Sequence, residues 1–306
     1  MKRKSLQKTH RAALFQARFW GVRGSYPTAS PNTLGFGGNT SCVEVTVAGR
    51  RLIFDAGTGI IALGKTLRDH PTSYIFLSHT HIDHIMGLCF FEPLLIDKTF
   101  TFIFGPAANR KSLARSLQQL TRTSLFPIAL DELNGGQETY SLRGGEVIHF
   151  KPRSIKPIIT RRSAASHATP GEAAIVTYKS PAHPRDGVML YRVNYQGKSL
   201  VYATDIEQPR GGYPDIVDFV RGADLLIHDA QYLHHEYFSN SMPRKGWGHS
   251  TIEMATEVAK KAKVKQLVLF HHEPTHDDRA MRRIERQAKR LFPATLTAYE
   301  GMELSL

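Results

Sequence analysis

At 306 residues, 41% of them hydrophobic and 22% charged, the chain can bury a substantial core and is too apolar to be a disordered polyelectrolyte. Its 40 Lys and Arg against 27 Asp and Glu leave a formal charge of +13, which favours anionic partners: phosphate esters, nucleotides, nucleic acid or membrane surfaces. Two cysteines, Cys42 and Cys89, exclude a disulfide framework and a cysteine-built zinc site, and the most apolar stretch, residues 85–96, is too short to cross a membrane.

The chain opens with Lys2, Arg3, Lys4, Lys8, Arg11 and Arg18 and no acid before residue 19, so residues 1–16 read as a basic flexible tail ahead of one domain, 17–306. No signal-peptide core follows, and the protein is expected to be cytoplasmic. A strand at Phe19–Ser25 runs into a Gly/Pro/Ser-rich loop that ends at Gly37-Gly38-Asn39-Thr40. Strands at Cys42–Val47 and Arg51–Phe54 flank a tight Ala48-Gly49 turn, and the second delivers Asp55-Ala56-Gly57-Thr58-Gly59. Residues 60–69 suit a short helix. Tyr74–Leu77 is a strand-length apolar run, and where it ends, Ser78-His79-Thr80-His81-Ile82-Asp83-His84 begins.

Further on, Thr99–Phe104 reads as a strand. Leu113, Leu117 and Leu120 mark a helix over 109–123 whose leucine stripe packs into the core. Residues 131–149 read as a linker and a strand, and 151–179 as a basic lip or an exposed hairpin. Strands are then expected at Tyr191–Tyr195, Leu200–Ala203 (ending on Thr204-Asp205), Ala223–Ile227 (ending on His228-Asp229) and Gln266–Phe270 (ending on His271-His272). Ser250, with Glu253 three residues later, suggests a capped helix start. Strands and helices fall in two loosely similar halves, which suggests a layered α/β domain.

Three imidazoles and a carboxylate within residues 78–84 offer lone pairs suited to zinc, manganese or iron. A chance His-rich surface loop is the competing explanation. Against it stand further donors that follow apolar strands: His183 before the Met189–Val193 run, Asp205 and His271. Together with His79, His81, Asp83 and His84 they suffice for two metals sharing one carboxylate and one water. Asp55, at its own strand end, either orients this loop or simply forms a turn.

The pattern His79-x-His81-x-Asp83-His84, with His183, Asp205 and His271 downstream in that order, resembles the metallo-β-lactamase superfamily. That resemblance implies a four-layered αβ/βα sandwich, two mixed sheets flanked by helices. It implies that His79, His81 and His183 hold one divalent metal, zinc first with manganese or iron as alternatives, that Asp83, His84 and His271 hold the other, and that Asp205 bridges them. The motifs Phe19–Ser25, Gly37–Cys42, Asp55–Gly59, Thr204-Asp205 and Gly248-His249-Ser250-Thr251 are similar to those of bacterial cyclic-phosphate phosphodiesterases. Ribonuclease Z is the related neighbour, through His249-Ser250-Thr251 and an imperfect match at His228-Asp229-Ala230-Gln231.

The implied activity is hydrolysis of a small cyclic phosphodiester, a cyclic nucleotide or cyclic ribose phosphate, by attack of a metal-bridging hydroxide. Asp83, His249 and Asp229 are the candidate catalytic side chains, with His249 as the acid and Asp229 holding its ring. The small anionic substrate is the expected partner, with RNA as the rival, no membrane, and room for a homodimer. A ribonuclease Z-like RNA-processing role is the main alternative, although no long Gly/Pro-rich arm of the kind ribonuclease Z uses is present; a non-catalytic nucleotide-binding protein is the other. Of the remaining histidines, His272 and His167 are weaker substitutes for His271 and His183. His234, His235 and His276 read as surface or supporting residues, and His10, His70 and His149 as ordinary ones.

Overall fold

The computed structural model describes residues 15–107, 112–121, 126–161 and 171–306. Six strands from the first half form one sheet: β1 (Phe15–Gly21), β2 (Cys42–Val47), β3 (Arg50–Phe54), β4 (Thr72–Phe76), β5 (Phe100–Pro106) and β6 (Gly136–Leu142). The second sheet takes β7 (Glu146–Phe150), β8 (Ile158–Arg161), β9 (Ala173–Ser180), β10 (Val188–Tyr195), β11 (Lys198–Ala203), β12 (Leu225–Asp229), β13 (Gln266–Phe270) and β14 (Thr295–Thr297). The last strand, β15 (Glu303–Ser305), returns to pair with β1. The strand orders are β15-β1-β2-β3-β4-β5-β6 and β14-β13-β12-β11-β10-β9-β7-β8. Both sheets are mixed, with parallel blocks at β3–β6 and at β11–β14.

Three buried clusters define four layers. Between the sheets lie Phe19, Phe54, Phe76, Phe104, Tyr191, Tyr202 and Phe270, among others. Against the outer face of the first sheet pack α1 (Gly59–Thr66), the one-turn helices α2 (Ile82–Ile85) and α3 (Glu92–Leu95), and α4 (Leu113–Thr121). Leu113 and Leu117 are buried there, so the leucine stripe is core, as its spacing predicts. The second sheet is covered by α5 (Pro214–Val220), α7 (Ile252–Ala262) and α8 (Asp278–Leu291), with the one-turn α6 (His234–Tyr237) at its edge. Strands buried on both faces are the arrangement that parallel sheets demand. This is the expected four-layered sandwich. No helix among the described residues is long and apolar enough to cross a membrane.

Register does the positioning. Phe54, Phe76, Phe104 and Tyr140 align across β3, β4, β5 and β6. Their rings stack at centroid distances of 5.4, 4.8 and 4.9 Å, each contact worth about 0.5–1.5 kcal/mol beyond burial. That ladder fixes the ends of β3 and β4 side by side, so the residues that follow them meet. In the second sheet, β11, β12 and β13 likewise end together, pairing Ala203 with His228 and Asp229 with Phe270.

Some boundaries depart from the sequence reading. The first strand begins at Phe15, inside the expected tail, because Phe15 and Ala17 are core residues paired with β2. Residues 131–149 hold most of two strands, β6 and β7, which belong to different sheets. The expected cap at Ser250 moves one residue on: Thr251 caps α7 by accepting from the Met254 N–H. Ser250 is buried and donates to the Ile206 carbonyl instead. The basic segment 1–14 and His167 lie outside the described residues.

Candidate metal centre

The seven expected ligands come together at the ends of the parallel strands, between the two sheets. His79, His81, Asp83 and His84 arrive on the loop after β4 and on α2, His183 on the turn between β9 and β10, Asp205 just past β11, and His271 just past β13. Donor atoms of His79, His81 and His183 lie within 4.8 Å of one another, as do those of Asp83, His84 and His271. The Asp205 carboxylate lies between the two groups, with one oxygen 3.7 Å from His79 Nε2 and 3.3 Å from His84 Nε2, and the other 3.3 Å from His271 Nε2. Asp55, Asp205 and His271 all leave their strands with positive φ (61°, 53° and 59°). That conformation costs a non-glycine residue of order 1–3 kcal/mol, and here it turns each side chain towards the centre as the strand ends.

The imidazoles are held from behind. His84 Nδ1 is 2.7 Å from Asp55, His271 Nδ1 3.0 Å from Gln231 Oε1, and His183 Nδ1 3.1 Å from the Gly248 carbonyl. Each acceptor fixes the proton on Nδ1 and leaves an Nε2 lone pair facing inward, the arrangement metal-ligating histidines use. Asp55 is fully buried and also accepts from the Ser78 amide, the Ser78 hydroxyl and the Tyr202 hydroxyl. It therefore supports the loop rather than merely forming a turn.

The side chains fit a cation. His84 Nε2 and His271 Nε2 face each other at 3.2 Å with both Nδ1 atoms already committed, so two lone pairs oppose one another unless positive charge lies between them. His79 Nε2 is buried and has no hydrogen-bond partner among the described residues. Burial, reinforced by neighbouring histidines, holds His79 well below the usual histidine range; burial holds His183 at about 4, and both rings are neutral at pH 7. Burial would raise Asp83 and Asp205, but His84 and His271 outweigh it, so both carboxylates stay ionised. Burial would depress His84, yet Asp205, Asp83 and Asp55 pull it well upward, which marks where this centre calls for positive charge.

Beside the donors, His249 Nδ1 lies 2.7 Å from Asp229 Oδ2 and 4.0 Å from Asp205. Asp229 is locked by the amides of Gln231 and Ser250. Burial would lower the His249 pKa, but Asp229 lifts it to about 9, so the ring carries its proton at neutral pH. A cavity of about 770 Å³ opens over this arrangement, lined by Ser25, His81, Asp83, Asp205 and His249 among others.

A family model described as the beta-lactamase superfamily domain matches residues 50–272. This chain belongs to the beta-lactamase superfamily. It is a metal-dependent hydrolase, and its fold is one that holds divalent metal ions. Ribonuclease Z of Pyrococcus horikoshii is 26% identical over 86% of this chain and 88% of its own length. Among solved structures, the metallo-beta-lactamase fold protein YhfI of Bacillus subtilis superposes with a TM-score of 0.65 at 17% identity, covering 96% of this chain and all of that one. A diphosphatase of the PhnP family gives 0.63 at 16% identity, covering 95% and 98%.

Other parts of this superfamily member's centre have roles that pattern reading does not give. Ser78 and Gln231 fall inside the quoted motifs and Tyr202 inside an expected strand, but their type and spacing do not say what they hold. Arg23 is fully buried and donates to the carbonyls of Gly37, Glu273 and His276, tying together the loops beneath the site. Two glycines have steric reasons: a Cβ on Gly24 would lie 2.4 Å from the His271 ring, and one on Gly248 2.3 Å from His183. His272 turns away, bonding the Ala298 carbonyl. His276 is buried against Glu236 rather than on the surface, because its backbone carbonyl also serves Arg23. His234 and His235 are exposed, and His149 pairs with Glu172.

Proposed function

We propose that the chain is a dinuclear metal-dependent phosphodiesterase acting on a small cyclic phosphodiester, a cyclic nucleotide or cyclic ribose phosphate. The observation that carries this reading is the meeting of two donor triads across one carboxylate, with a protonated His–Asp pair beside them. His79, His81 and His183 would hold one ion, Asp83, His84 and His271 the other, with Asp205 between them. Imidazole with carboxylate suits zinc, and manganese or iron next. Divalent ions there would lower the pKa of bound water and neutralise phosphate oxygens. Asp83 also accepts from the Ser25 amide, which fixes the floor on which a phosphate would sit. His249 supplies the proton to the departing alkoxide, and Asp229 keeps it charged and aimed.

The ribonuclease Z relatives and the +13 charge favour a second reading, RNA processing. The connection between β8 and β9 spans only residues 162–172, which leaves no length there for a long gripping arm. The test is metal analysis alongside turnover of bis(p-nitrophenyl) phosphate, cyclic nucleotides and a precursor transfer RNA. Two metals per chain with cyclic-nucleotide hydrolysis is expected; RNA cleavage alone would reverse the order of the readings. His249→Ala should lower turnover of poor leaving groups by about 10²–10⁴-fold and of nitrophenyl esters less. The wild-type rate on poor leaving groups should fall as the pH rises through the pKa of His249, which Asp229 holds above the usual histidine range.

A further inference from the structure

A second cavity, about 660 Å³, adjoins the centre on the His183 side. Its volume lies within the roughly 300–1,000 Å³ range of small-ligand sites. Arg185 lines both this cavity and the one over the metal ligands, so the two share a wall. Arg210 and Lys245 line it too, as do Tyr213 and Phe238, whose large side chains are 46% and 52% exposed.

The charge is not neutralised in place. Among the described residues Arg185 and Lys245 have no carboxylate partner, and Arg210 reaches only Glu257, at 3.7 Å with the arginine side chain 90% exposed. Among the described residues one carboxylate, Glu207, lines the cavity, but its oxygens are occupied. Oε1 accepts from the Tyr237 hydroxyl and the Gly246 amide, and Oε2 from the Gly248 amide. Those bonds fasten the segment that carries Lys245 and runs directly into His249. The same segment presents the Gly248 carbonyl to His183. The cavity wall and the reacting centre are therefore one mechanical unit.

We propose that this cavity binds the nucleotide unit joined to the cleaved phosphodiester, its further phosphate held by Arg185, Arg210 and Lys245 and its base laid against Tyr213 or Phe238. Cations next to exposed aromatic rings are the chemistry that recognises a nucleotide without reading its base. The inference rests on the phosphodiesterase reading but not on a cyclic substrate: it takes a phosphodiester, open or cyclic, that carries a second phosphate. An oligonucleotide end and a small phosphorylated nucleotide ester both offer that chemistry. With one nucleotide unit in the cavity, the benefit should saturate at one flanking unit.

The experiment uses metal-loaded enzyme and three esters: bis(p-nitrophenyl) phosphate, thymidine 5′-(p-nitrophenyl phosphate), and the latter carrying a 3′-phosphate. The 3′-phosphate should raise kcat/KM by about tenfold or more, the worth of one charge-assisted hydrogen bond. In Arg185→Ala and in the Arg210→Ala/Lys245→Ala double variant that ratio should collapse towards one. A merely structural role would depress all three esters in parallel and leave the ratio intact, which would overturn the proposal. So would a wild-type ratio near one. Equilibrium binding of thymidine 3′,5′-bisphosphate, weakened about tenfold by Tyr213→Ala or Lys245→Ala, is read without turnover. Binding without hydrolysis of any ester would sink the phosphodiesterase reading and leave the cavity assignment standing. Comparing a dinucleotide with a longer oligoribonucleotide separates the two sources, since affinity that keeps rising with length would contradict a one-nucleotide cavity.

Discussion

The two sheets furnish the centre in different ways. The first contributes four donors from six consecutive positions, 79–84, and steadies them through one buried carboxylate, Asp55. The second contributes His183, Asp205, His249 and His271 from four separate segments, most with an anchor of its own: the Gly248 carbonyl for His183, Asp229 for His249 and Gln231 for His271. One half is a local motif with a shared support. The other is a product of parallel register, which brings the ends of β11, β12 and β13 level. Damage to the first half should therefore spread, whereas damage to the second should stay with the residue touched, Asp205 excepted because it lies between both triads.

The largest effect tests that exception. Asp205→Ala should lower kcat by on the order of 10³-fold or more, since in the proposed centre the ions that would generate the nucleophile lose their common ligand. Metal analysis of the variant should show less than the wild-type content; full occupancy would place the shared ligand elsewhere. The comparison itself is tested by Asp55→Asn against Gln231→Ala. Loss of a supporting hydrogen bond costs about 10–100-fold in metal affinity, and Asp55→Asn should fall at the severe end because it disturbs both His84 and Ser78. Equal losses in a chelator competition would remove the distinction. The smallest effect concerns how the halves are joined. Tyr191 on β10 donates to the Leu77 carbonyl at 2.6 Å, immediately before the histidine loop. Tyr191→Phe should cost about 1–3 kcal/mol in denaturant unfolding, because the carbonyl is left unpaired in a buried place, with little change in KM.

How much of this was legible beforehand follows the same division. The histidine loop could be read directly, because a strand-length apolar run ends where the donors begin. His183, Asp205 and His271 could be nominated as donors near strand ends, and only their likeness to a known pattern paired them with the loop. Tyr202 and Glu207 could not be found this way, and Gln231 and Arg23 lay inside quoted motifs without any sign of what they hold. Their roles depend on which carbonyl or amide they meet across the fold, and a glutamine or glutamate in a loop has no spacing rule. The expected cap at Ser250 failed for a related reason: the hydroxyl had a better use against Ile206.

The sequence by itself determined the layered α/β class, the donor types and the loop that carries most of them, because apolar periodicity and ligand chemistry are local properties. Tertiary structure decided the rest. The register of the aromatic ladder set Asp55 beneath Ser78, positive φ at three strand ends aimed Asp55, Asp205 and His271, and the packing of the 244–248 segment on Glu207 built the neighbouring cavity. Each of these is a meeting of residues far apart in the chain, and only the closed sandwich brings them within hydrogen-bonding distance.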